Sequence, residues 1–238
     1  MRTRISNLTL IALFLSLIFS ISSADISRAA NYTVGTGVCQ QQMDTNTALV
    51  YQSSTNSSEC VIQFVGVGTV HWTVPYNLTA KYLIVGGGGS SSRGYCSYWY
   101  GPGGGGGDVE SGTAMSLTAN SNETVTVGAG GIFGTNGGCT KVGDTGTVST
   151  FHNITAAGGS GPSGSTPNGA SSGNGNAGGA GTSTCAPCTS GGGGGAGSFG
   201  SGMNGGHGLT SNISDTSTIY GAGGAGRDST STGGTSDT

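Results

Sequence analysis

Charged side chains are scarce in this chain, which has 7 Lys and Arg and 10 Asp and Glu among 238 residues. Two of the basic residues, Arg2 and Arg4, and none of the acidic ones precede Asp25, so a chain cut after Ala24 carries 5 − 10 = −5. Binding to nucleic acid or to anionic lipid depends on clustered Lys and Arg. The sequence therefore predicts no nucleic-acid partner and no membrane partner for the mature chain.

Clustered catalytic or metal-binding side chains are also lacking. His71, His152 and His207 are scattered, and the closest acidic pair, Asp108 and Glu110, has a spacing typical of solvated carboxylates. Cys185-Ala-Pro-Cys188 has the spacing of a redox dithiol, but glycines follow it instead of the helix that lowers a thiol pKa. No second Cys-x-x-Cys offers zinc ligands. We predict a non-catalytic protein with no cofactor and no metal.

Proline is rare and helical periodicity is missing, whereas glycine is abundant. Of 51 glycines, 47 lie between Gly86 and Gly234. Collagen requires glycine at every third position, and the uninterrupted runs 103–107 and 191–195 break that period. Glycine also destabilises helices by about 1 kcal/mol per residue. These features exclude collagen and predict an all-β chain after its N-terminal segment.

The N-terminal segment has the pattern of a secretory signal peptide. Arg2 and Arg4 precede an apolar stretch from Leu8 to Ile21, and Ser22-Ser23-Ala24 follows it. A second stretch that ends in small residues, Ser27 to Ala30, is an alternative cleavage site. A permanent membrane anchor is the alternative interpretation, but the apolar stretch is short for a span of about 20 residues. We predict a signal peptide at 1–24 and an extracellular or cell-surface location.

Alternating apolar residues mark the strands. In "GTVHWTVP" at 68–75, Val70, Trp72 and Val74 share one face, and "KYLIV" at 81–85 begins a second strand. Three further windows contain β-branched residues: 113–127, 147–157 and 209–220. We predict a polar segment at 25–59, a β-rich domain at 60–157 and a glycine-rich low-complexity segment at 158–238.

The glycine blocks have two interpretations. Disorder is the first, because ordering glycine has the largest backbone entropy cost. In the second, the missing side chains let backbones pack together as polyglycine II segments joined by N–H to C=O bonds. On that reading, blocks 191–195 and 221–226 are ordered, while Ser163 to Asn176 and the last ten residues lie outside the packed glycines.

Six cysteines in a secreted chain predict three disulfides. Cys39 and Cys60 are the only two before the glycine-rich part, so we pair them. Cys96 and Cys139 both lie between glycine blocks and form the second candidate pair. Cys185 and Cys188 remain, either as a local disulfide or as a shared structural pair.

The order of these blocks resembles a known glycine-rich domain. The motifs are "GTVHWTVP", "KYLIVGGGG", "GGGGGD", "ETVTVGAGG", "AAGGSG", "GGGGGAGS" and "IYGAGGAGRD", over residues 66–226. They are similar to the domain of bacteriophage tail-fibre adhesins and of bacterial and other surface proteins. The resemblance implies a small β-sandwich-like scaffold followed by polyglycine II segments, with exposed loops at one end. It also implies more glycine blocks than this chain has, so the 158–238 segment is expected to be truncated at its C-terminus.

Carried over by position, the resemblance implies recognition loops at Ser90 to Tyr100, Ile132 to Lys141 and Thr182 to Ser190. The first loop holds an aromatic cluster, and such side chains give a large contact area at low entropic cost. The alternative is that these aromatics pack on the β layer as a satellite core. The candidate binding residues are Tyr95, Tyr98, Trp99 and Tyr100.

Asn-x-Ser/Thr sequences, the acceptor pattern for N-glycosylation, recur along the mature chain. A composition rich in Asn, Ser and Thr also produces this pattern by chance. The candidate acceptors are Asn31, Asn56, Asn77, Asn122, Asn153 and Asn212.

Together these features predict a secreted, non-catalytic surface protein that acts in adhesion, binding a cell-surface receptor or a glycan through the loops between glycine blocks. A structural wall, sheath or matrix component, with other matrix proteins as partners, is the first alternative. An ice-binding protein is the second, although the glycine spacing is too irregular to align regular rows of Thr or Ala.

Overall fold

The computed structural model describes residue 39 and residues 47–92, 101–133, 142–163, 166–182, 188–228 and 232–237. The chain divides between Val65 and Gly66 into two compact units. The sequence-based boundary at 59/60 lies inside the first unit, and the boundary at 157/158 lies inside the second. The predicted signal peptide is outside the described residues.

The first unit contains an antiparallel hairpin of β1 (Ala48–Gln52) and β2 (Cys60–Phe64). The predicted disulfide between Cys39 and Cys60 is confirmed. Strand β1 was not predicted, because its five residues lie in an otherwise polar stretch. Ala48 and Val50 are each 2% exposed, so the alternation typical of a half-buried strand is present over a very short length.

The second unit confirms the all-β prediction, and the described residues contain no helix. A four-stranded antiparallel sheet has the order β3 (Gly68–Thr73), β6 (Asn122–Val127), β7 (Ser149–Phe151) and β8 (Ile154–Ala156). The remaining strands form two hairpins, β4 (Leu78–Val85) with β5 (Val109–Leu117), and β9 (Leu209–Ser211) with β10 (Thr218–Tyr220).

A small apolar core lies where β4 and β5 contact β7 and β8. Trp72 and Val74 are buried while His71 and Thr73 are exposed, as the two-residue period predicted. The rings of Trp72 and Phe151 have centroids 6.2 Å apart, and Ser149 Oγ donates to the carbonyl of Val85 at 2.6 Å. The ring contact lies within the four-stranded sheet, whereas the Ser149–Val85 bond joins the β4–β5 hairpin to that sheet in a sandwich-like arrangement.

Beyond the strands, the glycine blocks form a bundle of extended segments joined by backbone hydrogen bonds. The bonds repeat every three residues: Gly191 and Gly194 donate to the carbonyls of Pro167 and Ala170, at 2.7 and 2.8 Å. Between them, Gly192 donates to Gly202, on a different neighbour. A period of three without bonds inside a segment is the geometry of polyproline II. The glycine segments therefore pack as polyglycine II.

The two five-glycine blocks, 103–107 and 191–195, are buried throughout. Backbone hydrogen bonds join the first block to five other segments, at 86–90, 157–160, 170–173, 191–194 and 221–224. A Cβ atom on Gly103, Gly105 or Gly106 would overlap the backbone carbonyl of a neighbouring segment. None of these three glycines has a φ in the left-handed region, so the bundle requires their missing side chains and not unusual dihedral angles.

The prediction for Ser163 to Asn176 was wrong in its central part. Ala170 and Gly173 donate to the carbonyls of Gly103 and Gly106, and Ser160 donates to Ser171. The stretch "GASSG" resembles a flexible linker in composition, but its small side chains let it lie against the central glycine block. The prediction for the last ten residues was also wrong at Gly234 and Thr235, because Gly234 donates to Gly226 and Gly205 donates to Thr235. The ordered bundle therefore draws on residues from Gly86 to Thr235.

Candidate recognition surface at the loop end

Chain direction places the described bases of the first two predicted loops at one end of the bundle. Strand β4 leads into 86–89 and then into the first loop, and the chain returns through 103–107 to β5. Strand β6 likewise leads out to the second loop, from which the chain returns to β7. We call this end the loop end. Its described residues are 90–92, 101–102, 132–133, 142–144, 182, 188–190 and 227–228.

Ser190 ties three chain segments together at the loop end. Its side chain is fully buried, and its Oγ accepts from the backbone N–H of Arg227 at 2.8 Å. The same oxygen lies 3.0 Å from the carbonyl oxygen of Gly101 and 2.6 Å from that of Arg227. Ser190 N–H also donates to Arg227. One hydroxyl thus connects the bases of the first and third predicted loops.

Ser90 has the corresponding role between the first and second loops. Its N–H donates to the carbonyl of Asp144 at 2.9 Å, and its Oγ accepts from Asp144 N–H at 2.8 Å. The Ser90 hydroxyl also lies 3.4 Å from the carbonyl of Ile132. Gly143 donates in turn to Pro162, which brings Pro162 to the same end.

The third loop is closed at its base by a pair of threonines. Thr182 N–H donates to the Thr189 carbonyl at 2.9 Å, and the two hydroxyls are 3.0 Å apart. Thr189 also forms an antiparallel bridge with Asp228. The first loop is closed by Ser92 N–H, which donates to Pro102 at 3.4 Å. The loops thus leave the bundle from bases held by backbone bonds.

Two sets of predicted residues lie outside the described residues. They are the candidate binding residues Tyr95, Tyr98, Trp99 and Tyr100, and the cysteines Cys96, Cys139 and Cys185. Cys188 is disulfide-bonded and 1% exposed, with its partner outside the described range. The pairing of Cys96 with Cys139 stays a prediction. What the structure does place is the frame of the aromatic loop, which runs between Ser92 and Gly101.

Apolar side chains are exposed on the flanks of the second loop. Ile132, Phe133 and Val142 are 73%, 44% and 59% exposed. Ser90, Ile132 and Ser190 were predicted only as loop boundaries, and none of them was assigned a role. The available signal was position: each serine directly adjoins a glycine block on the side toward a predicted loop.

Among the described residues outside the loop end, two histidine side chains pair with carboxylates. His152 Nδ1 lies 2.9 Å from Glu123 Oε2, and this hydrogen bond, with a second from Ser121, lowers the pKa of Glu123. The backbone N–H of Gly208, followed by His207, lowers the pKa of Asp237. In the described part of the chain, no group of three His, Cys, Asp or Glu side chains is placed to hold a metal ion.

None of the described segments forms an apolar helix of bilayer-spanning length. No curated protein and no solved structure matches the chain at a significant level. One family model, described as a glycine-rich domain, matches residues 64–238, which include every strand of the second unit and the whole bundle. The chain belongs to this glycine-rich domain family.

Proposed function

We propose that the protein is secreted and acts without catalysis, as an adhesion or recognition protein that binds a cell-surface receptor or a glycan through its loop end. The observation that carries the proposal is the convergence of the bases of the inter-glycine loops at one end of a backbone-bonded bundle. Binding residues are commonly presented on loops that a rigid scaffold positions. The buried blocks 103–107 and 191–195 supply such a scaffold here.

The composition of the loops supports the same proposal. Residues 93–100 read RGYCSYWY, with four aromatic side chains among eight residues. Tyrosine and tryptophan contribute contact area with few rotatable bonds, and the low charge of the chain favours contacts of this kind over electrostatic ones. The layout is also the one that the resemblance to phage tail-fibre adhesins implies.

A structural role is the second candidate. The hydrogen bonding of the central glycine blocks to their neighbouring segments favours it. Gly103 and Gly106 donate to the 191–194 segment and Gly105 donates to Ser160, which suits a stiff, protease-resistant wall or matrix element. Such a protein would need no saturable ligand. Saturable binding through the loop end therefore separates the two candidates.

The first experiment screens the purified secreted chain against whole cells and a glycan array. The test variant replaces Tyr98, Trp99 and Tyr100 together by Ala. The matched control replaces three exposed apolar residues away from the loop end, Phe199, Leu209 and Ile219. We expect saturable binding that the test variant loses and the control keeps, because truncated aromatic hot spots cost about 2 kcal/mol or more each.

Thermal melts of the same proteins complete the test. If the aromatics formed a satellite core, the triple variant would lose about 3–5 kcal/mol per buried aromatic, and its melting temperature would fall far below that of the control. That result, or unchanged binding by the triple variant, would contradict recognition through this loop. Absence of any saturable binding would favour the structural role.

A further inference from the structure

Four Asn-x-Ser/Thr sequences of the second unit lie at the end opposite the loops. Strand β4 runs toward the bundle and β5 runs away from it, so the turn after Val74 and the β5–β6 turn are both distant from the loop end. The short hairpins β7–β8 and β9–β10 turn at the same side, which we call the strand end. The four asparagines in these turns are Asn77, Asn122, Asn153 and Asn212.

All four side chains are exposed. Asn153 lies at the tip of a two-residue hairpin loop, since Phe151 pairs with Ile154. Asn122 opens β6 opposite Thr73. Asn212 begins the β9–β10 turn, where its carbonyl accepts from Asp215 N–H at 3.0 Å. A bulky group on any of these side chains would extend into solvent and displace no buried atom.

At Asn77, a structural hydrogen bond and N-glycosylation would use different atoms of the same side chain. Its Oδ1 accepts from the backbone N–H of Ala119 at 2.8 Å. N-glycosylation uses the other atom, Nδ2, so the bond that holds the turn would remain. The acceptor chemistry therefore does not compete with the fold at this position.

The loop end, by contrast, lacks acceptor sequences. No Asn-x-Ser/Thr sequence occurs in the glycine segments or in the loops they carry, which are residues 86–108, 128–148, 157–208 and 221–238. Asparagines do occur there, for example Asn136, Asn168 and Asn204, but none has Ser or Thr two residues later. The acceptor sequences and the loops are thus separated at opposite ends of the second unit.

We propose that the strand end is an N-glycosylated face, carrying oligosaccharides on Asn77, Asn122, Asn153 and Asn212, and that the loop end is left bare. The donor is a lipid-diphosphate-linked oligosaccharide. Asn Nδ2 forms a bond to the anomeric carbon of the first sugar, the bond from that carbon to the diphosphate breaks, and Nδ2 loses one proton. The proposal depends on secretion and not on the recognition function.

The test uses the full chain secreted by a eukaryotic host, with a second version in which a proven signal peptide replaces residues 1–24. Chymotryptic peptides are analysed by mass spectrometry before and after peptide N-glycosidase, which converts each glycosylated Asn into Asp. Asn120 is the internal control, because it is exposed in the β5–β6 turn beside Asn122 but lacks the acceptor sequence.

We expect carbohydrate on the four strand-end asparagines, conversion of each to Asp by the enzyme, and unmodified Asn120. Replacing all four by Gln should remove most of the enzyme-sensitive mass, leaving only what acceptors before Gly66 carry. Recovery of the four as unmodified Asn from the secreted chain would overturn the proposal. Carbohydrate on the loop segments at 90–102 or 182–190 would overturn it as well.

Discussion

Gly106 donates its backbone N–H to the carbonyl of Gly194 at 2.9 Å, which joins the two five-glycine blocks 88 residues apart in sequence. Both glycines are buried, and neither has a side chain that could stabilise this contact. In this bundle the hydrogen-bonded backbone takes the place that apolar side chains occupy in most cores.

Alanine should be destabilising at Gly106 and tolerated at Gly88. A Cβ atom on Gly106 would overlap the carbonyl of Gly221, whereas one on Gly88 would meet nothing closer than 3.8 Å. We expect Gly106→Ala to lower the free energy of unfolding by about 1–3 kcal/mol or more. The matched control Gly88→Ala should stay within about 1 kcal/mol of the wild type. Urea denaturation measures both, and equal effects would contradict a backbone-packed core.

Ser190→Ala should loosen the loop end. The change removes a buried hydroxyl and leaves the backbone N–H of Arg227 without its 2.8 Å acceptor, a loss of about 1–3 kcal/mol. Amide exchange should accelerate at Arg227. Ser163→Ala, at an exposed serine on the same side of the bundle, is the control and should change stability by at most about 0.5 kcal/mol. Unchanged amide exchange at Arg227 would show that Ser190 does not hold the loop end together.

Acid should weaken the contact between Glu123 and the β7–β8 hairpin. The hydrogen bonds from His152 and Ser121 lower the pKa of Glu123 below its ordinary value of 4.5. A lowered folded-state pKa stabilises the protein above the ordinary pKa, and that contribution is lost as pH falls through the folded-state pKa. Exposed pairs of this kind contribute about 0.2–1 kcal/mol.

The wild type should therefore exceed Glu123→Gln in stability at neutral pH, and the difference should shrink on acidification below 4.5. Unfolding curves recorded for both proteins over this range give the difference directly. A gap that widened on acidification would have the wrong sign for a carboxylate that is stabilised in its ionised form.

Opening the Cys39–Cys60 disulfide should destabilise the β1–β2 hairpin. The bond spans 21 residues, and the loop-closure estimate for such a span is about 3 kcal/mol. The double variant Cys39→Ala with Cys60→Ala should show faster amide exchange across Ala48–Gln52. Val65→Ala, at an exposed position just after β2, is the control. Equal protection in the two variants would show that the hairpin does not depend on the bond.

Sequence alone predicted the parts of the fold that depend on local pattern. The alternation around Trp72 predicted β3, and the windows 113–127 and 147–157 predicted the second half of β5 and all of β6 to β8. β9 and β10 lie in the window 209–220, beyond the predicted β-rich domain. The segment around Ala170 was missed because its role depends on carbonyls at Gly103 and Gly106, nearly seventy residues earlier. Ser190 was missed for the same reason, since a serine beside glycines has no local signature of a buried hydrogen bond.

The most direct test of the backbone-packed core is amide hydrogen exchange of the mature chain, read residue by residue at 103–107 and 191–195. Backbone donors paired inside a cooperative core exchange slowly, and those in open segments exchange fast. We predict slow exchange in both blocks and also at Ala170 and Gly173, with fast exchange at the exposed Ser163. Uniformly fast exchange across both blocks would contradict the bundle and favour a disordered glycine-rich segment.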